Sequence, residues 1–154
     1  MQKSVIQKDA EIEIRRLRFG DISAIVEIEK NSYPDPWSEK MLERELQLEF
    51  SNFFVAIEDR KIAGYMCLWT VSDEGHLTNI TIKECFQKKG LGSKLMRYII
   101  DYAKKLKIKD IFLEVRASNF SALKFYEKFG FRKIDVRKKY YSNSDDAVIM
   151  SKTL

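Results

Sequence analysis

The chain has 154 residues, 45% hydrophobic and 33% charged, which places it among soluble globular proteins with enough material for one domain and one hydrophobic core. Its longest apolar runs fall far short of the ~20 residues that a membrane helix needs, so no membrane partner is expected. An excess of 28 Lys and Arg over 23 Asp and Glu gives +5, a modest field that favours a phosphorylated ligand or a ribosome surface without calling for DNA.

Residues 1–14 mix charges throughout and carry no apolar core or small-residue cleavage site, so no secretory leader is expected and a cytoplasmic location follows. Ile12, Ile14 and Leu17 suggest a first strand. Asp21 or Gly20 can cap a helix whose apolar face carries Ile22, Ile25, Val26 and Ile28. Tyr33-Pro34-Asp35-Pro36 must be a loop, because each proline restricts itself and the residue before it. Ser38 is a natural N-cap for a second helix with Met41, Leu42, Leu46 and Leu48 as apolar positions.

Phe53 to Ile57 and Ile62 to Val71 read as a hairpin turning at 58–61, and Leu77 to Ile82 as the next strand. A glycine turn, Gln87-Lys88-Lys89-Gly90-Leu91-Gly92-Ser93, then opens a helix to about Leu106 with Leu91, Leu95, Met96, Ile99, Ile100 and Ala103 on its buried stripe. Ile111 to Val115 is a central-strand pattern, so 77–115 forms a β-α-β unit with parallel strands. Asn119 or Ser118 caps a last helix burying Ala122, Leu123, Phe125, Tyr126 and Phe129, which Gly130 ends with a left-handed residue. Phe131 to Val136 and Ala147 to Met150 close a mixed α/β order without repeats or linkers. Cys67 and Cys85 form no C-x-x-C and His76 is the one histidine, so no metal site is expected.

The glycine turn carries the first functional signal. A turn of this kind leaves several N–H groups at the helix start without intrahelical partners and aims the positive end of the dipole at one spot, which suits a phosphate. Leu95 occupies the place of the third glycine in a dinucleotide fingerprint, and no phosphate-loop G-x-x-x-x-G-K-S/T spacing exists in the chain. What remains, Q-x-x-G-x-G after a strand, resembles the acetyl-CoA pyrophosphate motif of the GNAT acetyltransferases; read alone, it could also be a turn that merely begins a helix.

A second block is more specific. Leu113-Glu114-Val115-Arg116-Ala117-Ser118-Asn119, then Ala122, then Phe125-Tyr126-Glu127-Lys128-Phe129-Gly130-Phe131 resembles the LEVRxSNxxAxxxYExxGF signature of RimI-type and archaeal protein N-terminal acetyltransferases. The likeness runs from about Phe53 to the C-terminus, with Pro36-Trp37-Ser38-Glu39 as a weaker match upstream. It implies the GNAT fold, a mostly antiparallel sheet whose central strands splay to admit acetyl-CoA. It further implies that the backbone of Ile80, Thr81 and Ile82 pairs with the pantetheine arm and holds the thioester carbonyl, that Gln87, Lys88, Lys89, Gly90, Leu91, Gly92 and Ser93 wrap the pyrophosphate, and that Asn119 bonds the cofactor near its reactive end. Glu114 then matches the proton acceptor and Tyr126 the proton donor, while Tyr33, Trp37, Tyr140 and Tyr141 flank a peptide groove. Two departures fall on the substrate side: Ser142 stands where RimI-type proteins usually have proline, and the loop 33–36 fits neither the bacterial nor the archaeal pattern.

Read as chemistry, Glu114 interrupts an apolar run and is either a carboxylate facing a cleft or one facing solvent. Partial burial would raise its pKa and suit it to taking a proton from an α-amine, whose reference pKa of about 8 lies well below the roughly 10.4 of lysine. Tyr126 sits at helical spacing with Leu123 and Phe129, so it is either a core aromatic or the group facing the leaving thiolate, where it could donate the proton or mainly position the sulfur. His76 begins the expected cofactor strand; it is either a structural or surface histidine or, as the resemblance to family members with an ionisable side chain near this place implies, a group that helps remove the proton. The leading expectation is direct transfer of an acetyl group to the α-amine of a protein, such as a ribosomal protein or nascent chain, with no cysteine in the signature to carry it covalently. The alternatives are a GNAT enzyme for a small amine, such as a polyamine or aminoglycoside, and a noncatalytic module on the ribosome or RNA.

Overall fold

The computed structural model describes residues 11–154; the leader question posed by the first ten residues lies outside that range. Within the described residues seven strands form one sheet in the order β1-β2-β3-β4-β5-β7-β6: β1 Ile12–Arg16, β2 Ser51–Glu58, β3 Lys61–Val71, β4 Glu74–Ile82, β5 Asp110–Arg116, β6 Arg132–Arg137 and β7 Ala147–Thr153. Every pairing is antiparallel except β4 with β5. The β2–β3 hairpin closes through Asp59 and Arg60, both at positive φ (49° and 63°), a conformation whose twist matches the strands it joins.

Among the described residues four α-helices cover the sheet: α1 Ile22–Ser32, α2 Glu39–Gln47, α3 Leu91–Lys105 and α4 Phe120–Lys128. One core gathers Ile22, Ile25, Ile28 and Leu42 against Phe53, Val55 and Tyr65. The other places the α3 stripe against Phe54, Met66, Leu68, Ile111 and Met150. All six predicted stripe residues of α3 are buried, and Leu95, Met96 and Ile99 are fully so, each worth about 2 kcal/mol of apolar burial.

Several local expectations are corrected. Asp21 precedes α1 but does not cap it by its side chain; the carboxylate instead accepts from Arg15 Nη1 and Nη2 (2.7 and 2.9 Å) and from Arg18 N (2.8 Å). Ser38 does cap α2, accepting from Met41 N at 3.2 Å, yet Met41 and Leu46 are exposed because this nine-residue helix rests on the sheet by the narrow edge of Leu42 and Glu45. The apolar side of α4 is only half-buried, since much of it faces an open cleft rather than the core. Gly130 follows α4 at φ 89°, as expected of a residue that must turn the chain left-handed. Among the described residues no helix is long and apolar enough to cross a membrane.

The feature that positions the site lies in β4. Its ladder with β5 runs only from Glu74–Asp110 to Leu77–Leu113. On the other side, the register with β3 passes from Leu68–Leu77 to Cys67–Asn79, so Thr78 is an extra, bulged residue. A bulge bends its strand and sharpens the local twist, and here β4 parts from β5 at the bulged residue. Thr78 to Ile82 and Glu114 to Arg116 therefore diverge as two arms of a V.

Candidate active site

Two clefts meet in that V. The first, about 790 Å3, runs along Ile80, Thr81 and Ile82 to the glycine turn and the start of α3, with Phe125 and Tyr126 of α4 opposite. Gly90 precedes α3 at φ 81° and ψ 8°, a left-handed conformation that L side chains resist, and Lys88 is also at positive φ (62°). No side chain caps this helix end, so the N–H groups of its first turn point outward with the positive end of a 15-residue helix behind them. Gln87 braces the turn by donating from Nε2 to Ile82 O at 3.0 Å. A bare helix start at one end and an unpaired strand edge at the other suit a ligand with a phosphate group and an amide-bearing arm, as acetyl-CoA has.

The predicted cofactor residues divide here. Ile80, Thr81, Ile82, Gln87, Lys88, Gly90, Leu91, Gly92 and Asn119 line this cleft, while Lys89 and Ser93 do not. Lys89 Nζ lies instead 5.8 Å from the centroid of the Phe86 ring. Asn119 caps α4 through Oδ1, which accepts from Ala122 N at 3.2 Å, and this leaves its two N–H donors for a ligand.

The second cleft, about 510 Å3, opens between the loop after α1 and the ends of β4 and β5, and includes Asp35, Trp37, Asn79, Glu114, Arg116 and Tyr141. Ser32, Tyr33, Ile80, Asn119, Ala122 and Tyr126 line both clefts, so a group carried in one meets a group carried in the other at this junction. Tyr126 is held there by edge-on contacts with Phe125 and Phe131, with ring centroids 5.5 and 5.9 Å away. Burial, reinforced by Tyr33 and Tyr141 nearby, pushes its phenol well above the ordinary value, so it keeps its proton.

Of the two readings open for Glu114, cleft-facing and solvent-facing, each holds in part: it lines the acceptor cleft and stays open to solvent. It is exposed, and Oε1 lies 3.3 Å from Arg137 Nη1. The cause is strand alternation: Leu113 and Val115 point into the core, so Glu114 must point to the other face. Tyr140 lies outside both cleft linings; its phenol is raised by the hydrogen bond and charge of Glu114, against the nearby Arg137. Trp37 serves partly as core, edge-on to Phe53 at 6.3 Å. Tyr141 lies under the Arg116 guanidinium, 4.0 Å from the ring centroid. His76 lies on the zipped part of β4, stacks on Phe112 and lines neither cleft.

The two departures from the family pattern touch. Ser142 Oγ donates to Asp35 Oδ2, and Arg116, which donates to Asn143 Oδ1 at 2.7 Å, lies 3.8 Å from the same carboxylate. The loops before α2 and before β7 are thus tied over the end of β5. Glu29 was missed altogether. It is 1% exposed and accepts from Trp37 N (3.0 Å), Asn79 Nδ2 (3.0 Å) and Tyr65 Oη. Its sequence signal was available: Glu29 lies four residues after Ile25 and seven after Ile22, on the buried stripe of α1 where a carboxylate has no place without partners.

Neither Cys67 nor Cys85 lines either cleft, and among the described residues no His, Cys, Asp and Glu cluster could hold a metal. Residues 22–131 match the family model described as Acetyltransferase (GNAT) family. The chain is 35% identical over 141 residues to the ribosomal protein bS18-alanine N-acetyltransferase of Escherichia coli (strain K12), covering 90% of this chain and 95% of that one. It is 29% identical to the N-alpha-acetyltransferase of Saccharolobus solfataricus, in an alignment of 167 positions that covers 100% of both chains. The crystal structure of the Escherichia coli ribosomal-protein-S18-alanine N-acetyltransferase superposes with a TM-score of 0.86 at 34% identity, over 93% of this chain and 94% of that one. The chain therefore belongs to the GNAT family of acetyltransferases and draws its acetyl group from acetyl-CoA.

Proposed function

We propose that the protein, acting as one GNAT domain in the cytoplasm, acetylates the N-terminal α-amine of another protein, with an alanine-starting ribosomal protein as the first acceptor to test. The observation that carries this reading is the meeting of the two clefts at Tyr33 and Tyr126: one suits an extended cofactor, and the other is open along the loops before α2 and before β7, as an extended chain end requires. The relative in Escherichia coli, similar over nearly its whole length, is named for alanine at the N-terminus of bS18.

Acetyl-CoA supplies the activated acetyl thioester. The residues placed to hold it are Ile80, Thr81 and Ile82 through their backbone, Gln87, Lys88, Gly90, Leu91 and Gly92 of the turn, and Asn119. Glu114, on the acceptor side of the junction, takes a proton from the incoming amine directly or through water. An α-amine is a far easier target than lysine, because a pKa difference of about 2.4 makes its neutral form about 250-fold more abundant near pH 7. Tyr126 donates a hydrogen bond to the departing sulfur. Its raised pKa stands above the reference thiol value of about 8.5, so complete proton transfer to a thiolate is uphill and positioning is the role left to it.

A small polyamine would need unengaged acid in the acceptor cleft. Three carboxylates do line it, but Glu29 is held by its inward donors and Asp35 by Ser142 and Arg116, which leaves Glu114 as the one that can exchange its exposed partner Arg137 for an incoming cation, too few for the several charges of a polyamine. The deciding experiment incubates the purified protein with acetyl-CoA and peptides beginning Ala, Ser or Met-Leu, each with a free or blocked N-terminus, and locates the added mass. Acetylation confined to free N-termini is expected. Transfer to spermidine but to no peptide would replace this reading with the small-amine one.

A further inference from the structure

Four polar side chains where the two clefts meet form a chain of hydrogen bonds that ends on Glu29: Glu29, Asn79 and Tyr33 line the acceptor cleft, and Tyr33 and Thr81 line the cofactor cleft. Asn79 Nδ2 donates to Glu29 Oε1 at 3.0 Å, Thr81 Oγ1 donates to Asn79 Oδ1 at 2.6 Å, and Tyr33 Oη lies 2.6 Å from Thr81 Oγ1. Distance alone does not say whether Tyr33 or Thr81 donates in the last link, but the proton count does. Asn79 gives its N–H2 to Glu29, which leaves its oxygen facing Thr81 as the acceptor. The one hydroxyl proton of Thr81 is then committed to Asn79, and Thr81 Oγ1 can only accept from Tyr33. Tyr65 strengthens the anchor, since its buried hydroxyl donates to the same Glu29 oxygen.

We propose that this one-way chain fixes Tyr33 as a hydrogen-bond acceptor for the substrate amine, so that Tyr33 orients the α-amine at the junction of the two clefts. The proposal rests on the N-terminal acetyltransferase reading and adds to it the residue that aims the nucleophile. With its proton turned toward Thr81, the Tyr33 oxygen has a lone pair left for an N–H at the place where both clefts share its side chain. An ammonium or amine that gives one N–H to Tyr33 and a proton to Glu114 is left with its lone pair directed by the positions of those two groups. Burial raises the Tyr33 phenol, the Thr81 hydrogen bond lowers it and Glu29 raises it, with a net rise, so the proton that keeps the chain directional stays in place at neutral pH. Glu29, Asn79 and Thr81 are positioning residues, acting on the amine only through Tyr33.

The test is calorimetric and uses the full chain saturated with CoA, so that no turnover occurs. Two peptides are compared: one beginning with alanine, and one in which a propionyl group replaces that alanine, keeping its methyl but lacking the amine. Tyr33→Phe is expected to weaken the alanyl peptide about 10- to 100-fold, the effect of one hydrogen bond to a charged donor, while leaving the propionyl peptide and CoA itself unchanged. Thr81→Val, which frees the Tyr33 hydroxyl to swing round and donate, should weaken the alanyl peptide selectively, and Thr81→Ser should restore it. Equal losses for both peptides, no loss in Tyr33→Phe, or no recovery in Thr81→Ser overturn the proposal, as does wild-type protein that binds the two peptides equally. Wild-type protein that prefers the alanyl peptide in this Tyr33-dependent way but transfers no acetyl group would uphold the proposal and sink the activity reading instead.

Discussion

Glu114 on β5 and Arg137 on β6 form an ion pair of 3.3 Å that reaches over β7, the strand lying between theirs. Both ends are well exposed, so the pair contributes little to stability; its consequence is that the carboxylate is held beside the acceptor cleft by a cation that an incoming ammonium can displace. Glu114→Gln is expected to lower kcat/KM for an N-terminal peptide about 100-fold with acetyl-CoA affinity unchanged. The deficit should shrink above pH 8, where more of the amine is already neutral. Full activity of Glu114→Gln across the pH range would remove Glu114 from the role of base.

Tyr126 is expected to behave as a hydrogen-bond donor. Tyr126→Phe should cost about tenfold in kcat, the value of a single hydrogen bond to a developing charge. Because burial holds its phenol above the ordinary value of about 10, wild-type kcat should show no alkaline fall below that pH from this group. A pH-rate profile in which an alkaline limb disappears on mutation, with a thousandfold loss, would instead identify Tyr126 as a full proton donor.

Gly90→Ala places a Cβ at φ 81° where nothing lies within 4 Å, so strain in the backbone, and no clash, is the cost. That strain is about 1–2 kcal/mol, a fall in Tm of about 4 °C for a chain of this size. The turn should relax and re-aim its N–H groups, so acetyl-CoA binding measured by calorimetry should weaken more than Tm alone would suggest. An unchanged dissociation constant would mean that the turn does not hold the phosphate.

Asp21 gives the fold a pH dependence. Burial pushes its pKa up, but hydrogen bonds from Arg15 and Arg18 N and the charge of Arg15 outweigh burial and hold it below the usual carboxylate value. A folded pKa below the unfolded one contributes stability that is present above about pH 4 and is lost as pH falls further. Asp21→Asn should therefore be less stable than wild type at pH 7 by about 1.5 kcal/mol in urea unfolding, with the difference closing toward pH 2. A gap independent of pH would show that shape, and not charge, matters at Asp21.

The strand and helix order could be read from the chain because those signals are local: the stripe of α3, the proline loop at 33–36, the Ser38 and Asn119 caps and the glycines at 90 and 130 each depend on residues a few positions apart. The same holds for the glycine turn and for the block from Leu113 to Phe131, whose side chains reach the two clefts along one strand and one helix. What could not be read depends on contacts between distant segments. Glu29 meets Tyr65 and Asn79 across 36 and 50 positions, and Asp35 meets Ser142 across 107. The face that Glu114 takes follows from local alternation with Leu113 and Val115, but the cleft in front of that face exists only because β4 parts from β5. Periodicity within a segment carries the information for secondary structure and for backbone-built phosphate sites, whereas the direction of a buried hydrogen-bond chain exists only once the sheet has brought its members together.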